Sequence, residues 1–452
     1  MDLILASAAI VVVLVGVLAV SLAFLRAWPT AAMVVLTLAV YTNHYKFDVG
    51  PVTIRTEHVA VLMLAGLLAV YLGWQGIWPR VTVPGLYAMG WWLALALSAF
   101  LHAPDFGDTL RHIIRLGLMV FTFLVTVNLV QRREEWRTFA RILYGVGLAE
   151  AAYGVLARAV YAWDFGTIHV LGHTLRSPLN LGIQITRSLP VPAPYGTLEE
   201  GNIFGSTMGA LLVASLVLWL HPRGGISRRW SGLGIVLTSA GWVLSLTRGA
   251  WLAVLFVLPL LWVLYPQDGQ RRLAHLGLLF AAAPIALVIL VAVLLFAPDS
   301  VPAVARLRTL LSLQGDPTFN LRMERWSLAW EDILMRPWIG WGPGTFVQLH
   351  GIRYFAPAWL DSLTIKNLQE GGLLGLIFLY GFWGLPIGEG IWAALHDGSF
   401  PERGMTLALA LGGIVLFLAY HVTDATWLAF VWVWLGVLTT RPGGKWARYE
   451  EA

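Results

Sequence analysis

Arg322 and Arg325 stand three residues apart in LRMERWSLAWEDILM, a stretch whose spacing predicts a helix, so their guanidiniums share one face. Trp326 and Trp330 lie close to that face. A guanidinium presents a planar fork of donors that matches two phosphate oxygens at once. The same helix also reads as an amphipathic segment resting on lipid headgroups, with Arg on phosphate and Trp in the interfacial belt. Pro337 ends it, because proline cannot continue a helix, and the GWGPG of 340–344 forces a tight turn. Arg248, in SLTRGAW (245–251), lies between two apolar runs with almost no loop. An arginine at membrane depth costs about 2.5–3.5 kcal/mol on insertion scales, so it is functional, paired or snorkelling to headgroups. Arg248 and Arg322 fall on the same side of the apolar runs, and a lipid diphosphate is the ligand that such a pair fits. In TLEEGNIFG (197–205), Asn202 is expected to cap a helix, while Glu199 and Glu200 could orient an arginine, act as a base or simply stay solvated. Arg176 and Arg187 precede them in the same loop as further phosphate or sugar ligands. His350, and His421 with Asp424 in YHVTDATW, are candidate proton acceptors, although a lone histidine is more often a structural hydrogen-bonder.

These groups need elements to carry them, and the elements are membrane helices. The chain has 452 residues, 58% hydrophobic and 12% charged, against about 25% charged in soluble domains. Apolar segments fall near 3–25, 29–41, 57–74, 85–101, 112–130, 139–163, 203–221, 230–246, 249–265, 273–297, 371–395, 404–420 and 425–440. At about twenty residues per crossing, the expectation is an all-α polytopic membrane protein with about 12 transmembrane helices. The first run lacks a positive n-region and exceeds a signal peptide's apolar core, so it reads as a retained helix. A net charge of +5 is too small to argue for nucleic acid, and zero cysteines exclude disulfides and thiolate chemistry. Basic clusters at Arg132, Arg133 and Arg137, at Arg223, Arg228 and Arg229, at Arg271 and Arg272, and at Arg441, Lys445 and Arg448 fall on one side, which is then cytoplasmic. A single membrane domain follows: helices in 1–163, an outer loop 164–202, helices in 203–297, a long, partly helical extracytoplasmic loop 298–370, and helices in 371–440. Loops longer than about 15 residues are usually functional or disordered, and the Trp, Arg and Gly content of this one predicts order.

SLTRGAW, then R-x-x-x-W-x-x-A running into P-x-x-G-x-G-P-G-x-F (Arg322, Trp326, Ala329, Pro337, Gly340, Gly342, Pro343, Gly344, Phe346), then QEGGLLG (369–375) resemble in order and spacing the O-antigen ligase/polymerase superfamily. EGNIFG resembles the segment that often precedes these motifs, so the likeness covers roughly residues 197–380. The resemblance implies a metal-independent glycosyltransferase of the bacterial inner membrane, multi-pass, with its site on the periplasmic face. It implies a glycan donor linked to undecaprenyl diphosphate and an acceptor hydroxyl on a glycan or lipid, with no cofactor. It also implies that Arg248 and Arg322 handle the diphosphate. Preorganised arginines stabilise the negative charge that builds on a departing diphosphate in a poorly hydrated site. One departure matters: many family members carry His-Asn about nine residues before the acid that Glu370 matches, and this chain has Asp361-Ser362 there. Asp361 could serve as the base, with His350 and His421 as alternatives. A transporter or lipid-binding protein without transferase activity is the competing reading. Such proteins show inverted repeats or ionisable and broken helices near the midplane. Neither is evident in the sequence; Arg115, just inside a predicted helix start, is the exception and is expected to snorkel outward.

Overall fold

The computed structural model describes residues 28–42, 46–49, 52–162, 196–198, 200–221, 225–264, 302–308, 317–353, 360–396, 402–424 and 426–442, with short strand pieces between 169 and 194 and at 356–357. The crossings expected at 3–25 and 273–297 lie outside these residues. In chain order the elements are α1 (Trp28–Tyr41), a hairpin of β1 (Lys46–Val49) and β2 (Val52–Arg55), α2 (Thr56–Gln75), α3 (Val83–His102), α4 (Phe106–Leu129) and α5 (Arg133–Ala162). Then come α6 (Gly201–Leu220), α7 (Arg228–Leu244), α8 (Arg248–Leu264), α9 (Pro302–Arg308), α10 (Pro317–Met335), α11 (Thr345–His350), α12 (Leu363–His396), α13 (Arg403–Tyr420) and α14 (Ala429–Thr439). Seven of the described helices are long and apolar enough to cross a membrane, and α1, α8 and α14 are shorter apolar helices. The molecule is a mostly helical, multi-pass membrane protein that also carries short antiparallel strand pairs, among them the β1–β2 hairpin, whose register sets Lys46 opposite Arg55.

Local chemistry places the helix ends. Thr82 caps α3 by accepting from Gly85 N, and Asp105 caps α4 by accepting from Asp108 N at 3.1 Å. Gly76 closes α2 in the left-handed region, where its N–H reaches the carbonyls of Leu72 and Gly73. Apolar residues all round α6 and α13 make these two the most buried of the long helices, and they pack on each other at the centre. Leu62, Val70, Leu93, Phe256 and Ile377 on the surrounding helices point outward as a lipid-facing belt.

Successive helices alternate in direction, so the connections sort into two ends. At one end Arg80 N donates to Asn128 Oδ1, Arg133 and Arg137 both pair with Glu402, and Arg441 pairs with Glu389 at 3.1 Å. The described members of the basic clusters gather at this end. At the opposite end Thr197 Oγ1 donates to Tyr41 O, His102 Nδ1 lies 2.8 Å from Gly340 O, and Gln348 binds Asp105 and Thr109. Every motif singled out in the sequence sits at this second end.

One element departs from the sequence reading. The crossing expected at 371–395 is the second part of α12, a 34-residue helix that begins at Leu363 and breaks at Gly372. Thr364 Oγ1 and Tyr380 OH, sixteen positions apart, share a hydrogen bond of 2.7 Å. In a straight helix they would stand about 24 Å apart. Residues 363–371 therefore fold back against 373–396, so the helix begins within the last part of the connection expected at 298–370.

Candidate functional site

The site begins with α10, which ends before Pro337 as its sequence dictates. Arg322, Arg325, Ala329 and Asp332 recur at helical spacing along one face. Ala329 packs with Phe346 and Leu360, supported by Trp326, Leu328 and Ile365, which fixes this face against α11 and the start of α12. Arg322 Nε lies 3.6 Å and Arg325 Nη1 4.0 Å from the same oxygen, Oδ2, of Asp361. Arg325 is almost buried, whereas Asp361 remains 39% exposed. Two guanidiniums thus converge on one anionic oxygen at the surface of the site.

The turn after α10 and the break in α12 complete each other. A helix break orphans carbonyls before it and N–H groups after it. Here Trp341 N and Gly342 N donate to the carbonyls of Gln369 and Glu370 at 2.9 and 2.8 Å, and Leu373 N and Leu374 N donate to the carbonyls of Pro337 and Trp338 at 2.8 and 3.3 Å. Glycine is demanded on both strands of this exchange. A Cβ on Gly340 would run into the Gln369 carbonyl, and one on Gly372 into the Trp338 carbonyl. Gly372 also adopts φ 64°, ψ −166°, a region open essentially to glycine alone. The Glu370 carboxylate accepts from Gly344 N at 2.8 Å, tying the turn to the fold-back a further time.

Arg248 opens α8 at the same end. The tight α7–α8 turn holds Leu246 at φ 55°, and Thr247 Oγ1 donates to Gly201 O at 3.0 Å, so SLTRGAW touches the start of EGNIFG. A Cβ on Gly249 would strike Val422, which sets this motif beside the turn after α13. Asp424 of that turn pairs with Lys366 on the folded-back half of α12. Three motifs distant in sequence are therefore linked through α12.

The other expectations divide. Asn202 is not a cap: the helix starts at Gly201, so Glu200 holds the N-cap position of α6, and its side chain does not cap the first turn. Asn202 lies in the first turn, where its carbonyl accepts from Ser206 Oγ. The loop is held instead by Glu150, buried in α5, whose carboxylate accepts from Thr197 N and Oγ1 at 2.7 Å. Arg176, Arg187 and Glu199 lie outside the described residues. His350 Nε2 lies 2.9 Å from Asp332 Oδ2, in contact with the face of α10 that carries the arginines. His421 Nε2 lies 2.9 Å from Tyr380 OH and its Nδ1 2.7 Å from Phe417 O, a network that braces the fold-back. Arg115 does not snorkel: it stacks on Trp427 at 4.6 Å, and Arg55 stacks on the same ring at 4.7 Å. Arg55 and Lys366 were not singled out in the sequence. A cation within apolar helical sequence is a usable signal for Arg115, but nothing local announces a partner ring at position 427.

A family model described as O-antigen ligase matches residues 233–385. No curated protein matches the chain. The match takes in SLTRGAW, the arginine helix, the glycine-proline turn and QEGGLLG, and starts after EGNIFG. The segment that builds the arginine pair and the interlocked turn is thus the part of the chain similar to the O-antigen ligase family, and the match supports the O-antigen ligase/polymerase superfamily.

Proposed function

We propose that this protein transfers a glycan from an undecaprenyl-diphosphate-linked donor to an acceptor hydroxyl on a glycan or lipid, at the motif end of the helices. That end faces the periplasm or cell exterior, because the basic loops collect at the other. The observation that carries the reading is the convergence of Arg322 and Arg325 on one carboxylate oxygen, within the segment that matches the O-antigen ligase family. A carboxylate oxygen is a fair stand-in for a phosphate oxygen, and guanidiniums bind either. Arg322 and Arg325 hold the donor's diphosphate from α10, and Arg248 contributes from α8. Asp361, engaged by both arginines, positions them. As the bond to the anomeric carbon breaks, charge grows on the diphosphate and the fixed guanidiniums stabilise it without a metal. Attack in line with the departing group inverts the anomeric centre.

The test is glycan transfer from a lipid-diphosphate donor by Arg248 and Arg322 variants, each replaced by Lys and by Ala. Lysine keeps the charge and loses the fork, so both replacements are expected to abolish most transfer; near-normal transfer by the alanine variants would remove the clamp. The fold-back of α12 is the one observation that favours a transporter, since transporters use broken helices with free backbone groups to coordinate ions. Here the groups at 369, 370, 373 and 374 are already taken by 337–342, which leaves the break structural.

A further inference from the structure

Asp332 and His350 form a dyad that the diphosphate clamp does not use. Asp332 lies on the arginine face of α10, two turns or about 10 Å beyond Arg325. It is buried, and its Oδ2 is 2.9 Å from His350 Nε2 and 3.4 Å from Gln369 Nε2. A carboxylate accepts, so Nε2 carries the ring proton and Nδ1 keeps its lone pair. The Phe346 ring sits 4.6 Å from the imidazole and fixes its plane. The His350 side chain is nevertheless 16% exposed. Around α11 the other described ionisable groups include Asp108 of α4, whose carboxylate accepts from Gln348 Nε2 at 3.3 Å, Glu370 of α12, bound to Gly344 N, and His112 of α4, against which Gly344 lies. Asp361 is turned to the arginines.

We propose that His350, oriented by Asp332, is the general base that activates the acceptor; this rests on the lipid-diphosphate reading above. The acceptor hydroxyl gives its proton to Nδ1 as its oxygen bonds to the anomeric carbon. The bond from that carbon to the diphosphate oxygen breaks, and its electron pair leaves with the lipid diphosphate. Asp332 stabilises the imidazolium, which returns its proton to water.

The experiment uses the full chain in lipid nanodiscs, undecaprenyl diphosphate as the binding probe, and lipid-diphosphate-linked oligosaccharide extracted from the producing cells for transfer. His350→Gln is expected to lower kcat/KM by about 10²–10⁴-fold, to erase the acidic limb of the pH–rate profile, and to leave undecaprenyl diphosphate binding unchanged. Free imidazole restores part of the rate to His350→Gly. Asp332→Asn moves the acidic limb to lower pH, a readout that a merely structural role would not give. A His350→Gln variant with wild-type rate and an intact limb overturns the dyad and leaves the clamp standing, as does an Asp332→Asn variant with an unmoved limb. A wild-type protein that neither binds undecaprenyl diphosphate nor transfers glycan overturns the underlying reading instead.

Discussion

Asp361 stands where two arginines and one acid must share an oxygen, and its geometry separates charge from shape as requirements of the site. Arg322 approaches through Nε and Arg325 through Nη1, and a guanidinium carries five N–H donors in a fixed fork. Losing one preorganised donor to a developing oxyanion costs about 10²–10³ in kcat. Arg322→Ala is therefore expected to fall by that factor, and Arg322→Lys nearly as far, because an ammonium cannot reproduce the fork. Asp361→Asn keeps the shape and removes the charge that gathers the guanidiniums; we expect weaker transfer with an unaltered pH profile, measured beside Arg322→Ala in the same assay. Loss of the acidic limb in Asp361→Asn would instead make Asp361 the base. The arginines were legible in sequence, because their spacing on one helix face is local and their chemistry is specific. Asp361 was found only by its offset from Glu370, and its turn toward the arginines was not legible, since that depends on how 360–362 returns past α10.

The interlock between 337–342 and 369–374 is the element on which the site's shape rests. It explains Gly340 and Gly372, some thirty residues apart: the backbone of each segment fills the space that a side chain on the other would need, while Gly342, Gly344 and Gly371 lie against Ala99, His112 and Leu95 of α3 and α4. Hydropathy could not show this. Residues 363–371 are polar enough to read as loop, and the fold-back exists only because hydrogen bonds from a distant segment satisfy the break. The long apolar helices, by contrast, were readable to within a few residues, because a membrane span must satisfy its backbone internally. Gly372→Ala forces a Cβ into the Trp338 carbonyl at a backbone conformation closed to alanine. The cost of such strain is about 1–3 kcal/mol before any clash. Thermal unfolding in detergent is expected to drop for Gly372→Ala, and transfer to fall with it. Gly384→Ala, in the same helix with open space around its α-carbon, is the control that should do neither.

At the scale of the whole molecule, the two ends are built from opposite kinds of charge arrangement. The basic-loop end neutralises itself: Glu402, at the N-cap of α13, meets Arg133 through Nη2 at 2.6 Å and Arg137 as well. Burial alone would raise the Glu402 carboxyl, but hydrogen bonds and charge from these two arginines outweigh it and hold it below its ordinary value. A depressed carboxyl lends stability above its unfolded pKa, about 4.3, and that stability is lost as pH falls through the lowered folded value. Both arginines are partly exposed, so the 3–5 kcal/mol typical of breaking a fully buried pair shrinks here to about 1–2 kcal/mol. Glu402→Gln should lose that much in detergent unfolding at pH 7 and differ less from the parent below about pH 4. The motif end pairs Lys366 with Asp424 but gathers its arginine pair around an exposed acid, Asp361, where the proposed reaction would seat a lipid-linked donor. Orientation is thus the premise on which the glycan-transfer reading depends. With no native cysteine, single cysteines report it directly. Asn320→Cys, exposed near the start of α10, should react with an impermeant maleimide in intact cells, and Glu134→Cys, exposed at the basic-loop end, only after the membrane is opened. The reverse labelling pattern would turn the arginines toward the cytoplasm, the side where a donor bound for surface polysaccharide is assembled rather than spent, and would exclude the proposed reaction however well its residues align.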